Sequence, residues 1–271
     1  MGSSIGLGNI WKFPYEMGLH GGGTFLFVYI PCVWLVALPV MMSEIMVGRY
    51  GRSNPVHGLQ HIAKQERLSS LWRIMGWLGI LTGFLVFSYY SVVASWILFY
   101  IMQSATSAFV DVPAEIVQHS FGALLRDTDQ LLIWHTIFVL MVVLVLARDL
   151  RIGLERALLV LMPCFLALVV WLFLFASQVG DYRQALEFVF TFNPQAIDAE
   201  LIVSALTQAL FSLSIGLGVL IMYGAYLEGH RPIATAAVVV MVFDTGIALL
   251  MALMIFSVVF AFGMRPDSGA G

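Results

Sequence analysis

Apolar residues run along this chain in long unbroken stretches, and the polar residues gather between them. Gly23 to Gly48 contains one charge, Glu44, while Ile74 to Val110, Ala157 to Gly180 and Leu201 to Leu227 contain none. Pro232 to Met264 contains only Asp244, and the shorter Leu131 to Ala147 only His135. A helix needs about 20 such residues to cross the hydrocarbon core of a bilayer. The pattern therefore predicts six membrane spans. A short apolar piece, Gly2 to Trp11, precedes them and reads as part of one more helix. Both ends are expected to lie inside a longer sequence. The first residues already belong to an apolar segment, and the polar tail Arg265 to Gly271 follows directly on another.

Composition removes the soluble alternative. The 271 residues are 61% hydrophobic and 11% charged, against about 25% charged in a soluble domain. A net charge of −3 without a dense basic run argues against a nucleic-acid partner. Cys32 and Cys164 both sit inside apolar runs and read as small core residues, not as a disulfide or metal pair. No nucleotide loop, catalytic triad or metal-spaced His/Cys set is present, and no cleavable signal peptide is legible.

Lys and Arg set the orientation. The connection after Gly48 holds Arg49, Arg52, Lys64, Arg67 and Arg73; Arg148, Arg151, Arg156 and Arg231 fall on the same side. Lys12, Arg126, Arg183 and Arg265 fall on the other, together with most of the acids. The loop 49–73 is therefore expected in the cytoplasm, and Ser104 to Gln130 and Asp181 to Glu200 outside. Within the inner loop, Val56, Leu59, Ile62 and Ala63 are spaced for one helical face that is suited to the membrane surface. Asp181 to Glu200 fits either a short helix over the outer mouth or a plain loop.

Two apolar segments are poor continuous helices. Gly2-Ser-Ser-Ile-Gly-Leu-Gly-Asn9 and Phe211-Ser-Leu-Ser-Ile-Gly-Leu-Gly218 mix paired glycines with hydroxyls. Each glycine costs about 1 kcal/mol against alanine in a helix interior. Close packing of membrane helices accounts for single pairs of this kind. Two such stretches point further, to unwound backbone, which at membrane depth is tolerated only where it lines a cavity. Asp244 agrees with that reading, since an acid inside a span marks an ion or substrate path; a structural hydrogen bond to a neighbouring helix is the alternative. Asn9, Ser212, Asp244 and carbonyls near Ser4 offer the oxygen ligands that a hard cation takes. Glu44 lies near the end of its span, where a structural role is expected.

The run Gly6-Leu-Gly-Asn-Ile-Trp-Lys-Phe-Pro-Tyr15, with Gly21-Gly-Gly-Thr-Phe25, resembles the start of the neurotransmitter:sodium symporters, in particular the bacterial amino-acid branch that includes the leucine transporter. The agreement continues through Gly48-Arg-Tyr, Ser88-Tyr-Tyr-Ser-Val-Val93, Leu161-Met-Pro163, Gln208 to Gly218, Asp244-Thr and Val258 to Gly263. The leucine transporter is itself the type example of such broken helices, so the two glycine-rich breaks and the resemblance are not independent signs. The resemblance implies an all-α polytopic membrane protein with an inverted-repeat fold. About seven helices are present, of which the first and sixth are broken. Residues 1–178 would form the first repeat, 179–200 an extracellular loop, 201–264 the start of the second repeat and 265–271 a polar tail.

The resemblance also implies a sodium-coupled symporter that imports a neutral amino acid by alternating access, in a cell's inner (plasma) membrane; the chain alone is not expected to transport. A non-transporting scaffold or receptor-like subunit on the same fold is the alternative. Substrate binding would fall to Ser4, Leu7, Gly8, Val86, Tyr90, Phe211, Ser212, Ser214, Ile215 and Leu217. A first sodium site would use Ser4, Asn9, Ser212 and Asp244, and a second the carbonyls of Gly2 and Ile5. Lys12, Gln208 and Phe211 would form a gate. Lys12 stands where relatives commonly carry arginine. Asp244 stands where many carry asparagine, and its fixed charge implies that no chloride is needed. The eighth helix, which would supply further ligands to the second sodium site, is absent from this sequence.

Overall fold

The computed structural model describes residues 5–110, 112, 114–147, 150–227 and 232–267, and among these no strand occurs. Five helical segments are long and apolar enough to cross a membrane: Gly23–Gly51, Ser70–Ala105, Thr128–Leu146, Arg156–Val179 and Ile233–Ala261. Five of the six expected spans are thus single helical segments, and the sixth is divided.

The first described segment bends at Ile5 and Gly6 and enters a π-helical turn, Gly8–Lys12, that feeds helix α1 (Phe13–Leu19). Pro14 stands at the start of α1, directly after the π-helical turn. Gly21 and Gly22, with φ of 76° and 64°, then reverse the chain. Only glycine suits Gly22, because a Cβ there would stand 2.3 Å from the Phe188 carbonyl oxygen. The next span is built from α2 (Gly23–Cys32), a π-helical turn Val33–Ala37, and α3 (Leu38–Gly51). Pro31 inside α2 removes one ladder donor, and the wider turn directly after it accommodates the defect. α4 (Pro55–Gln65) leads to α5 (Arg73–Ala105).

Two further connections contain helices of their own. α6 (Ala114–Arg126) lies within the stretch 104–130, ahead of α7 (Thr128–Leu146) and α8 (Leu150–Val179). α9 (Tyr182–Phe190) resolves the 181–200 stretch in favour of a helix, with Asp181 capping it through the Gln184 N–H at 3.0 Å. Last come α10 (Ala199–Ser212), α11 (Val219–Tyr226) and α12 (Ile233–Ala261).

The helices form two compact units, residues 1–81 with 162–271, and residues 82–161. In the second, Trp96 meets Phe121 edge-on at 5.2 Å, and His135 Nε2 lies 3.1 Å from Ser91 Oγ. The first holds the larger core, in which Phe13, Phe25, Tyr29 and Phe256 are wholly or almost wholly buried. Phe188 of α9 meets Phe256 of α12 at 4.8 Å, which seats the connecting helix on the span. α3 and α11 approach to backbone contact. A Cβ at Gly48 would lie 1.9 Å from the Ile221 carbonyl oxygen, and one at Gly224 would lie 2.2 Å from that of Ile45.

Candidate ion and substrate site

The division of the expected span Leu201 to Leu227 falls where the sequence placed it. Between α10 and α11 the chain leaves the helix, with φ of 57° at Ser214, 83° at Gly216 and 72° at Gly218. Glycine makes the values at 216 and 218 inexpensive, while Ser214 takes the left-handed region with a side chain. Glu44, reaching from α3, accepts the Gly216 N–H at 2.8 Å. This is a structural role, as expected for that acid, and it gives a partner to one backbone donor that the break releases.

Three expected ion ligands come together in the first unit. Asn9 is fully buried, Ser212 is 2% exposed and Asp244 1%. Asn9 Nδ2 donates to Asp244 Oδ1 at 2.9 Å, to the Asp244 carbonyl at 3.1 Å and to Ser212 Oγ at 3.2 Å. Ser212 Oγ donates to Asp244 Oδ2 at 2.5 Å, and Asn9 Oδ1 accepts from the Gly6 N–H at 3.3 Å. The cluster thus joins the bend before α1, the end of α10 and the middle of α12. No lysine or arginine among the described residues pairs with Asp244. A buried carboxylate faced among the described residues only by neutral groups is costly, so the Asp244 and Ser212 oxygens suit a small hard cation.

Of the expected gate residues, Lys12 and Phe211 meet, and Gln208 bonds to the backbone at Gly8. Gln208 is fully buried and its Nε2 donates to the Gly8 carbonyl at 2.9 Å. Its Oε1 has no hydrogen-bond partner among the described residues. Lys12 Nζ stands 4.6 Å from the centre of the Phe211 ring, a cation–π contact that needs no guanidinium plane. The same ring lies 3.3 Å from where a Gly8 Cβ would be, so glycine there leaves room for it. One turn further along α1, Glu16 accepts from Ser204 of α10 at 2.6 Å.

The other expected residues are placed less fully. Ile5 packs with Val169, Ile247 and Met251. Leu7 and Leu217 are half-buried at the two breaks, and Ile215 packs on the main core. Val86 and Tyr90 stand on α5 in the second unit, one helical turn apart. Gly2 and Ser4 lie outside the described residues. One residue was missed from the sequence. Tyr29 is fully buried beside Ser212 and Thr245, and its only signal was a hydroxyl inside an apolar run.

A model of the sodium:neurotransmitter symporter family matches residues 1–122 and 116–265. The chain belongs to that family. The family is one of transporters and not of enzymes. The chain is 33% identical over 268 residues to an uncharacterized sodium-dependent transporter, YhdH, of Bacillus subtilis, covering 99% of this chain and 58% of that protein. A similar protein of Methanocaldococcus jannaschii is 30% identical over 272 residues, covering 94% and 52%. The crystal structure of MhsT in complex with L-phenylalanine superposes with a TM-score of 0.91 at 34% identity, over 99% of this chain and 60% of MhsT. The chain thus shares the fold of this family member and spans little more than half the length of the relatives it matches.

Proposed function

We propose that the protein is a sodium-coupled symporter for a neutral amino acid. The observation that carries this reading is the buried cluster of Asn9, Ser212 and Asp244, which ties the bend before α1 and the break after α10 to the middle of α12 around a buried carboxylate. Sodium would be held there by the Asp244 carboxylate and Ser212 Oγ, with the Asn9 amide turned over so that its oxygen, which now accepts from the Gly6 N–H, faces the ion in place of Nδ2. Its charge would offset that of Asp244, so that the breaks close on the ion. The N–H groups of Leu7 and Gly8 would bind the substrate carboxylate, as helix N-termini bind anions. The Ser4 and Ser212 region would take the ammonium, with Ser214 nearby. Phe211, Ile215 and Leu217 would line an apolar side-chain pocket. The phenylalanine bound to MhsT supports an apolar side chain of that kind.

The second sodium site, at the Gly2 and Ile5 carbonyls, and the repeat division at residue 178 belong to the same proposal. So do the inner (plasma) membrane and the cytoplasmic placing of loop 49–73. The deciding experiment is uptake of labelled phenylalanine or leucine by the full-length protein in proteoliposomes. Uptake driven by an inward sodium gradient, and absent with potassium, is expected. Substrate binding without uptake under any sodium gradient would overturn the transport reading in favour of a receptor-like role.

A further inference from the structure

The turn between α4 and α5 has a composition that the transport site does not use. α4 itself is not free to lie on a membrane by its apolar face. Pro55, Val56, Gly58 and Ala63 are buried, Gly58 packs against Gly51 at the end of α3, and Gly76 of α5 meets Pro55 and Val56. What stays uncovered is the stretch that follows. Leu68 is 54% exposed, Leu71 66% and Trp72 50%. The turn is nonetheless fixed, since Leu68 N–H donates to the Ala63 carbonyl at 2.8 Å, and Leu71 N–H to Ser69 Oγ at 3.2 Å. Lys64, Arg67 and Arg73 flank these apolar residues, and all three are exposed. The one acid in the stretch, Glu66, is engaged by the Tyr50 hydroxyl at 3.1 Å.

The position of this turn identifies its partner. The apolar segment Ser70–Ala105 begins here, so Leu71 and Trp72 stand where a span enters the bilayer. Tryptophan favours that boundary, with its ring among the acyl chains and its N–H in the polar layer. Lysine and arginine there extend their charged ends outward to the headgroups. A soluble acidic partner would meet the charges and leave the neighbouring apolar residues unmatched. An anionic lipid satisfies both. We propose that residues 64–73 form a contact site for anionic phospholipid, with Leu68, Leu71 and Trp72 among the acyl chains and Lys64, Arg67 and Arg73 on the phosphate.

The test uses the full-length protein in nanodiscs of mixed phosphatidylglycerol and phosphatidylcholine, with retained lipid counted by native mass spectrometry. Wild type is expected to retain phosphatidylglycerol preferentially. The double substitution Arg67→Gln/Arg73→Gln should lower that preference by about fivefold for each charge removed. Arg67→Lys/Arg73→Lys should keep most of it, which separates charge from structure. Arg183→Gln, on α9 and paired with Glu187 at 3.3 Å, should leave it unchanged. High salt should weaken the preference in wild type, a readout that does not depend on any variant folding. An undiminished preference in the Gln variant, or one insensitive to salt, would overturn the proposal. So would an equal loss in the Arg183 control.

Discussion

Asp244 is 1% exposed and faces an amide and a hydroxyl, with no lysine or arginine paired to it among the described residues. Neutral donors orient a carboxylate but do not cancel its charge; a bound cation does. Asp244→Ala in the full-length protein is therefore expected to abolish sodium-dependent binding of substrate in detergent, and unchanged sodium affinity would remove this acid from the ion site. The same fixed charge leads us to expect uptake to be unaltered when chloride is replaced by gluconate. Gly6 supplies a third residue-scale prediction. Among the described residues a Cβ there meets nothing within 4 Å, so these leave room for a side chain at the bend. In related monoamine carriers the resemblance places an aspartate at this point, where it pairs with the substrate ammonium. With glycine, the substrate must bring its own carboxylate, and tryptophan should outcompete tryptamine by at least about tenfold. Equal competition would refute this reading of Gly6. These residues were legible because polar groups and glycines stand out in apolar runs. Tyr29 was not, since a tyrosine in such a run is more often packing than site, and only the fold brings it to Ser212.

At the scale of elements, the break between α10 and α11 was legible for a local reason: glycines and serines weaken a helix wherever it folds. The helix α6 was not, because its amphipathic pattern lies within a connection that charge had already assigned to the outside. The choice between helix and loop for α9 turned on packing, through Phe188 against Phe256, which periodicity does not encode. The close approach of α3 and α11 was equally hidden, although Gly48 and Gly224 were visible as glycines. It yields a matched pair of substitutions. Gly224→Ala would drive a methyl group into the Ile45 carbonyl, whereas Gly246→Ala on α12 meets open space. The first is expected to cost about 1–3 kcal/mol by overpacking and to lower the thermal midpoint in detergent. The second is expected to leave it unchanged or raised, because alanine favours helix over glycine. Equal midpoints for the two variants would show that α3 and α11 separate without penalty.

At the scale of the molecule, the order and number of apolar segments were legible because the bilayer imposes one length on all of them. Which helices share a compact unit was not. Uniform apolar spans look alike in sequence, and the unit that carries Asn9, Ser212 and Asp244 is assembled from residues 1–81 and 162–271. The ion cluster exists only through that long-range assembly. Transport asks for more than the cluster. In an inverted-repeat carrier one bundle of helices rocks against another around the central site, and both must be present for the site to open to each side in turn. This chain spans 58% of YhdH and 60% of MhsT. We therefore expect the 271-residue chain, purified alone and reconstituted, to give no substrate accumulation under an inward sodium gradient, while the full-length protein accumulates substrate in the same vesicles. The comparison also separates binding from movement. Asn9, Ser212 and Asp244 all lie within the chain, so some sodium-dependent protection of these residues can survive where uptake does not. Gradient-driven uptake by the chain alone, above that of protein-free liposomes, would show that these helices already contain both moving parts.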